Sequence, residues 1–196
     1  MRLIGSAVLA LLVVVSSSAV QAVPIVFIAS MDGASENPSN DSLGTGSARV
    51  EFDIVAHTMS IQVSFGGLTG NTTAAHIHCC VAPPGNAGVA TQVPSFVGFP
   101  LGVTSGTFSN IFDTTLDSTF NPAFITAQGS VAAAEAALLA GLQAGVAYFN
   151  IHTSFWPGGE IRGFLQQVPE PASLGLFGLG LAGLIFLRRA RASRGA

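Results

Sequence analysis

The sequence predicts a mainly β, antiparallel fold, a sandwich or a barrel, built around one core. Two segments, 48–55 and 59–65, alternate between apolar and polar residues, which is typical of half-buried strands. The chain also contains 23 Gly and 10 Pro, and these divide it into a series of short apolar runs. Short strands separated by such turns favour an antiparallel sandwich or barrel and argue against a helix bundle.

The two alternating segments are predicted to form a hairpin. In the first of them, Val50, Phe52 and Ile54 fall on the face that we expect to be buried. Only the residues 56–58 separate it from the second segment, and so short a connection suits a tight turn. His57, within this connection, is interpreted as a turn residue.

One helix and five further strands complete the prediction. The segment 130–144 is rich in Ala and Leu, which favour helices, and Ser130 is a suitable N-cap. We therefore expect a single helix, inserted in a connection between strands. The further strands are predicted at 26–29, 72–79, 106–111, 146–153 and 160–165.

Length and charge limit the classes of function. The chain has 196 residues, with ten acidic residues and seven basic ones, all of them Arg, for a net charge of −3. Between 23 and 168 only Arg49 and Arg162 oppose nine acidic residues, which gives this section a net charge of −7. A basic surface for nucleic acid is thus excluded. The 146 residues of the section are enough for a core of its own.

Residues 1–22 are predicted to be a secretory signal peptide. Arg2 precedes an uncharged apolar run, 3–15, and the small residues Val20 and Ala22 are typical of a cleavage site. We expect cleavage after Ala22. An uncleaved membrane anchor is the alternative, but the run is shorter than the roughly 20 residues that a spanning helix needs.

The segment 169–196 is predicted to be a sorting signal with a transmembrane helix. Pro169, Glu170 and Pro171 precede an uncharged run, 172–187, which an Arg cluster follows. An apolar stretch followed by cations is typical of a membrane helix with the cations in the cytoplasm. This combination resembles the PEP-CTERM signal of exported bacterial proteins. The resemblance implies processing by an exosortase after a transient stay in the inner membrane, and an anchor that is never processed is the alternative.

Three of the four histidines fall in predicted strands. His76 and His78 are two residues apart, so they project from the same face at roughly 6 to 7 Å along the strand. Strand alternation also places His152 on the side away from the core. One interpretation is copper or zinc held by the three side chains with a fourth position open. The alternative is a structural role, with Asn150 and Glu160 as hydrogen-bond partners.

Cys79 and Cys80 are adjacent, and the export signal places them in an oxidising compartment. They are compatible with a vicinal disulfide, with a disulfide between molecules, or with free thiols. Strand alternation places Cys80 on the side of His76 and His78, so a thiolate ligand to the same metal is a further alternative. The sequence leaves the state of the pair open.

Glu160 and Arg162 are two residues apart in a predicted strand, so they share a face. A surface ion pair between them is worth under about 1 kcal/mol. Because Arg162 is one of only two Arg in residues 23–168, we also consider it a candidate for holding the loop near the histidines.

Three motifs follow one another along the chain: AAHIH at 74–78, AGVAYFNIHT at 144–153 and PGGEIRGFL at 157–165. In this order they resemble the signatures of the CHRD domain, a family named from chordin and found in many exported bacterial proteins. Two upstream motifs, 33–38 and 66–70, resemble the same family. The resemblance covers most of 26–166, and it assigns residues 23–168 to a CHRD domain between the signal peptide and the sorting segment.

The resemblance implies an immunoglobulin-like or Cu,Zn superoxide dismutase-like β-sandwich with one inserted helix. In that comparison, His76 and His78 match the copper strand of the dismutase and His152 matches a late copper ligand. Arg162 matches the arginine beside the metal. The comparison fails for the second metal, since no His lies between His78 and His152 to bridge two ions or to complete a zinc site. Dismutase activity is therefore not expected.

Together these observations predict a non-enzymatic protein of the cell envelope or the extracellular matrix, exported and then sorted by its C-terminal segment. Its domain is expected to act as a binding or structural module without a cofactor. The expected partners are the export machinery, an exosortase-type enzyme, and extracellular polysaccharide or other matrix components. The alternative is a copper- or zinc-binding protein with redox or metal-sequestering activity at the three histidines.

Overall fold

The strands form where apolar and polar residues alternate, much as the sequence predicts. The computed structural model describes residues 23–169, which contain eight strands, two α-helices and one 3-10 turn. In chain order they are β1 (Ile25–Asp32), β2 (Thr45–Asp53), β3 (Thr58–Gly66), β4 (Thr72–His78), β5 (Gly106–Asp113), the 3-10 turn (Asp117–Thr119), α1 (Pro122–Gln128), α2 (Val131–Gln143), β6 (Tyr148–Thr153), β7 (Ile161–Phe164) and β8 (Gln166–Gln167).

The predicted terminal segments lie outside the described residues. These are the signal peptide, 1–22, and the sorting segment from Glu170 onward with its expected transmembrane helix over 172–187. Within residues 23–169, no single helix is long and apolar enough to cross a membrane. The helices α1 and α2 reach that length only as a pair, which is bent by 92°.

The eight strands join one antiparallel sheet with the order β4-β6-β7-β1-β2-β3-β5, and β8 lies beside β1. β1 connects the two groups of strands. One of its edges pairs with β2 along the whole strand, while the other meets β7 at Asp32 and β8 at Phe27 and Ile28. Because β1 is hydrogen-bonded on both edges, the two groups of strands belong to one sheet. This sheet is curled into a half-barrel, in place of the two separate sheets of the predicted sandwich.

Side chains from both groups of strands meet in one hydrophobic core. Phe27 of β1 and Phe149 of β6 are both fully buried in it. Phe96, from the connection between β4 and β5, stacks on Phe149 with the ring centroids 5.8 Å apart. Full burial of such a side chain stabilises the fold by about 1.5–3 kcal/mol. Within the described residues 23–169, the core residues lie between Phe27 and Leu165, so this core falls inside the predicted domain, 23–168.

The hairpin of β2 and β3 follows the prediction except at its turn. Val50 and Phe52 are buried as expected. Ile54, predicted on the same face, is 41% exposed because β2 ends at Asp53, where the chain turns. The carboxylate of Asp53 accepts hydrogen bonds from the next backbone N–H groups, at 2.9 and 2.8 Å, and these bonds form the turn. His57 completes the turn with a φ of 52°.

The connection between β5 and β6 contains two helices, whereas the sequence analysis predicted one. The helix α2 begins as expected, since the Ser130 hydroxyl accepts a hydrogen bond from the N–H of Ala133 at 3.1 Å. The additional helix, α1, is capped by Asn121, begins with Pro122 and ends at Gly129 with a φ of 94°. An Asn-Pro start and a Gly end are common helix boundaries. The sequence contains both signals, but the prediction of a single helix did not use them.

Candidate metal centre

The three histidines singled out by the sequence are brought together by two neighbouring strands. His76 and His78 lie on β4, and His152 lies on β6, which pairs with β4 along its length. The rings are close, with centroids 5.1 to 5.8 Å apart. One ring nitrogen from each side chain can be chosen so that all three nitrogens lie within 4.8 Å of one another. Nitrogens at these distances converge closely enough to meet at a single ion.

The side of the sheet that carries these rings is covered, although the alternation pattern places it away from the core. His76 is 6% exposed and His78 is 8% exposed, while Asn150 and Tyr148 beside them are 2% exposed. The cover comes from two loops, because the β4–β5 connection folds back over β4 and the β6–β7 connection lies beside His152. An outward-facing strand position is therefore buried here by irregular structure that periodicity does not predict.

Each ring is held by one hydrogen bond to a backbone carbonyl. The pairs are His76 Nε2 with the Pro94 carbonyl (2.6 Å), His78 Nδ1 with the Ala87 carbonyl (2.9 Å) and His152 Nδ1 with the Pro157 carbonyl (2.9 Å). A carbonyl only accepts, so the proton of each ring belongs on the bonded nitrogen. The other nitrogens, Nδ1 of His76 and Nε2 of His78 and His152, are buried and have no hydrogen-bond partner in the described part of the chain. Three lone pairs are thus left free in the interior.

The rings are also kept neutral by their surroundings. Burial lowers the pKa of His76 and His152 below the ordinary 6.5, and it lowers the pKa of His78 to about 4. A neutral imidazole is the form that binds a metal. Neither Asn150 nor Glu160 hydrogen-bonds to a histidine ring, so the partners predicted for the structural role are wrong. The bonded carbonyls have the arrangement that commonly orients metal-binding histidines.

Arg162 is buried beside this cluster, whereas a position on the surface was predicted. It is 1% exposed, because the loops that cover the histidines extend over it. Its hydrogen bonds go to the Ser35 carbonyl (2.5 Å), the Asn86 side-chain oxygen (2.7 Å) and the Pro84 carbonyl (2.9 Å). Its only ionic partner among residues 23–169 is Glu36, at 3.8 Å. Burial raises the pKa of Glu36 to about 7, and the nearby guanidinium opposes that rise.

Glu160 does not pair with Arg162, so the predicted surface ion pair is wrong. Its carboxylate is fully buried and accepts four hydrogen bonds. The alternation argument does not apply to it, because β7 begins only at Ile161. The donors are the hydroxyls of Ser42 and Thr153 (both 2.6 Å) and the backbone N–H groups of Thr69 (2.5 Å) and Gly70 (3.2 Å). Burial acts to raise the pKa of this carboxyl, but the four donors hold it below its ordinary value. Glu160 therefore ties together segments that are distant in sequence.

Cys79 and Cys80 form a vicinal disulfide in the structure. The pair follows His78 directly, but both sulfur atoms lie against α2 at Gly141, and the Cys80 sulfur is 3.8 Å from the Ala137 carbonyl. The sulfur atoms therefore do not join the histidine cluster, and the thiolate-ligand alternative is wrong. The alternation argument fails because β4 ends at His78 and the chain changes direction there.

Substitution of Gly141 should reveal this contact. An added Cβ would meet both sulfur atoms, so Gly141→Ala is expected to destabilise the protein by about 1–3 kcal/mol. In a Cys79→Ala/Cys80→Ala background the same change should stabilise by about 0.5–1 kcal/mol, because alanine favours a helix over glycine. Urea unfolding of the four proteins measures both effects. An effect of the same sign in both backgrounds would contradict the contact.

A second polar cluster was not predicted from the sequence. The Nδ1 atom of His57 lies 3.0 Å from both carboxylate oxygens of Glu135, which is buried on α2. The Thr114 hydroxyl donates to the same carboxylate. A single acidic residue in an otherwise apolar helix was the available signal, since a buried carboxylate needs partners. This cluster fixes α2 to the β2–β3 hairpin and is separate from the three histidines.

The fold and the cluster together define a class, namely a curled antiparallel β domain with a candidate metal centre on its covered side. The chain belongs to the CHRD domain family, since the sequence model of that family matches residues 27–165. The PEP-CTERM protein-sorting motif matches residues 167–191. No curated protein and no solved structure matches the chain. Both resemblances are confirmed, and the motif implies exosortase-type processing of a protein exported to the cell envelope or surface.

Proposed function

We propose that this chain is an exported, non-enzymatic binding module of the cell envelope or the extracellular matrix, and that its ligand is a copper or zinc ion. The ligands are His76 through Nδ1 and His78 and His152 through Nε2. A single observation carries the proposal: these three nitrogens are buried, have lone pairs and find no hydrogen-bond partner among residues 23–169. Copper and zinc are the ions that three imidazoles suit best.

The energetic cost of the apo cluster supports this assignment. Each buried polar atom without a partner costs about 1–3 kcal/mol. Three such atoms at adjacent positions would be a large penalty for a purely structural arrangement, because the same rings could be replaced by apolar side chains at no such cost. A metal ion satisfies all three lone pairs at once. Binding of a metal ion therefore explains the presence of histidine at positions 76, 78 and 152 better than packing does.

The surroundings of the cluster favour binding over catalysis. The groups that hydrogen-bond to or stack on the three rings within residues 23–169 are backbone carbonyls, the rings themselves and Tyr148. A backbone carbonyl only accepts hydrogen bonds, so it orients a ring and has no proton to transfer. Three protein ligands leave a fourth coordination position for a further donor. We therefore assign sequestration of the ion to this module, in the envelope or matrix to which the sorting motif directs it.

Metal analysis of the exported protein tests this function. We expect about one copper or zinc ion per chain in protein purified from the envelope fraction of its natural producer, because the three neutral rings form one site. Protein carrying His78→Ala and prepared in the same way is the control, and it should contain little of either metal. Wild-type protein with no more metal than this variant would contradict the proposal and favour a structural role for the histidines.

A further inference from the structure

The loop of residues 80–88, the ligand loop, lies between the metal cluster and Arg162. It leaves β4 two residues after His78 and returns at Val89, which forms a bridge with His78. Its base is closed by a hydrogen bond from the N–H of Cys79 to the Gly88 carbonyl, at 3.1 Å. Near this base the loop presents the Ala87 carbonyl, which accepts the Nδ1 proton of His78. The orientation of that ring thus depends on the position of the loop.

Arg162 holds the ligand loop through hydrogen bonds from its guanidinium group. Its two terminal nitrogens donate to the Asn86 side chain at 2.7 Å and to the Pro84 carbonyl at 2.9 Å, while its Nε donates to Ser35. Pro84 and Asn86 are themselves exposed, so packing does little to fix them. The guanidinium is planar and rigid, and it therefore fixes the relative positions of the groups to which it donates. The buried cation thus restrains the loop at two points, and a further hydrogen bond, from the Asn86 side-chain nitrogen to the Asn37 carbonyl at 2.7 Å, holds the same side chain.

Tyr148 connects the same three elements. Its ring is parallel to the His78 ring within 5°, with the centroids 4.9 Å apart, and it lies 4.7 Å from the central carbon of the Arg162 guanidinium. Its hydroxyl accepts a hydrogen bond from the N–H of Ala87 at 3.1 Å. The residue that orients His78 is therefore restrained from both sides, by Tyr148 directly and by Arg162 through Asn86.

We propose that Arg162 is a positioning residue for His78: through Asn86 and the ligand loop it keeps the His78 proton on Nδ1 and the Nε2 lone pair directed at the metal. The inference rests on the proposed function, because it assigns a metal to that lone pair. The positioning of His78 by Arg162 does not depend on a metal, since the tautomer of His78 can be observed in metal-free protein. Loss of a group that orients a metal-binding histidine typically lowers metal affinity by about 10- to 100-fold.

Asn86 offers a test that leaves the buried guanidinium intact. Asn86→Ala removes the acceptor of Arg162 from an exposed position, so the fold should survive. In metal-free protein comprising residues 23–168, we expect the ring ¹⁵N resonances of His78 to lose their single Nδ1–H pattern. The Cu(II) affinity should fall by about ten-fold or more. Asn86→Asp keeps the acceptor oxygen for Arg162 but loses the Nδ2 donor that bonds to the Asn37 carbonyl at 2.7 Å, so it separates these two contacts of the side chain. It should retain both properties if the contact with Arg162 positions the loop.

The other two histidines separate positioning of His78 from a general loosening of the site. If Arg162 acts through His78, Asn86→Ala should leave the ring ¹⁵N patterns of His76 and His152 unchanged, because their carbonyl partners, Pro94 and Pro157, lie outside the ligand loop. An unchanged His78 tautomer and affinity in Asn86→Ala, or an equal change at all three histidines, would overturn the inference. Wild-type protein that binds neither Cu(II) nor Zn(II) would instead refute the proposed function, while the tautomer comparison would still decide whether the loop orients His78.

Discussion

His78→Ala and His152→Ala are each expected to lower Cu(II) and Zn(II) affinity by more than about 100-fold, because even the loss of a group that merely orients a metal ligand costs about 10- to 100-fold. Each change removes one of three donors and, with it, the geometry of the site. The effects should therefore be non-additive, so the double variant should bind little more weakly than either single one. Calorimetric titration of residues 23–168 measures all of these affinities.

His57→Ala is the matched control for these variants. His57 is also a histidine with a ring nitrogen near a polar group, but its partner is Glu135 and it lies outside the cluster. We expect the metal affinity of the His57→Ala variant to equal that of the wild type. Its stability should fall by about 1–3 kcal/mol, since the buried carboxylate loses a hydrogen-bond partner. If all three variants bind metal as the wild type does, the histidine cluster is structural.

Glu160→Ala is expected to have the largest effect on stability, a loss of about 3–5 kcal/mol in the free energy of unfolding. The change leaves four neutral hydrogen-bond donors in the interior without their shared acceptor. Each buried donor that loses its partner costs about 1–3 kcal/mol. Glu51→Ala is the control. Glu51 forms an exposed pair with Arg49 at 2.7 Å, and such pairs are worth under about 1 kcal/mol. Equal effects of the two changes in urea unfolding would contradict the assigned role of Glu160.

The same residue predicts a dependence of stability on pH. The four donors hold the pKa of Glu160 in the folded state below the ordinary 4.5 that applies in the unfolded state. Its contribution is therefore fully present above pH 4.5 and is lost as the pH falls through the lower folded value. Glu160→Gln, which does not titrate, should show a smaller loss of stability over this range than the wild type. An identical pH profile for the two proteins would show that the carboxylate is not the group responsible.

Local patterns were sufficient to predict most strands and one helix. The alternation in β2 and β3 and the alanine-rich segment capped by Ser130 are each determined by neighbours in sequence, and the structure confirms them. The distance between β4 and β6 along the chain does not predict that these strands pair. The alternation within each strand nevertheless placed His76, His78 and His152 correctly on one side of the sheet. The family resemblance supplied the proximity of these strands, which periodicity alone does not contain.

The errors have a common physical origin in long irregular connections. Alternation predicted that Glu160 and Arg162 share a surface, but loops cover both side chains, and each is satisfied by partners far away in sequence. The carbonyls that set the histidine tautomers lie at Ala87, Pro94 and Pro157, and nothing in a residue's identity tells where its carbonyl will point. The burial of the candidate site, and therefore its chemistry, depends on these loops.

The ring nitrogens of the three histidines provide the most direct test of the metal centre. ¹⁵N NMR of residues 23–168 before and after addition of Zn(II) reports the state of each nitrogen. We predict that Nδ1 of His76 and Nε2 of His78 and His152 shift on binding of one equivalent, because these are the nitrogens without partners, while the carbonyl-bonded nitrogens keep their protons. Rings that do not respond to Zn(II), or a response at the carbonyl-bonded nitrogens, would contradict the account.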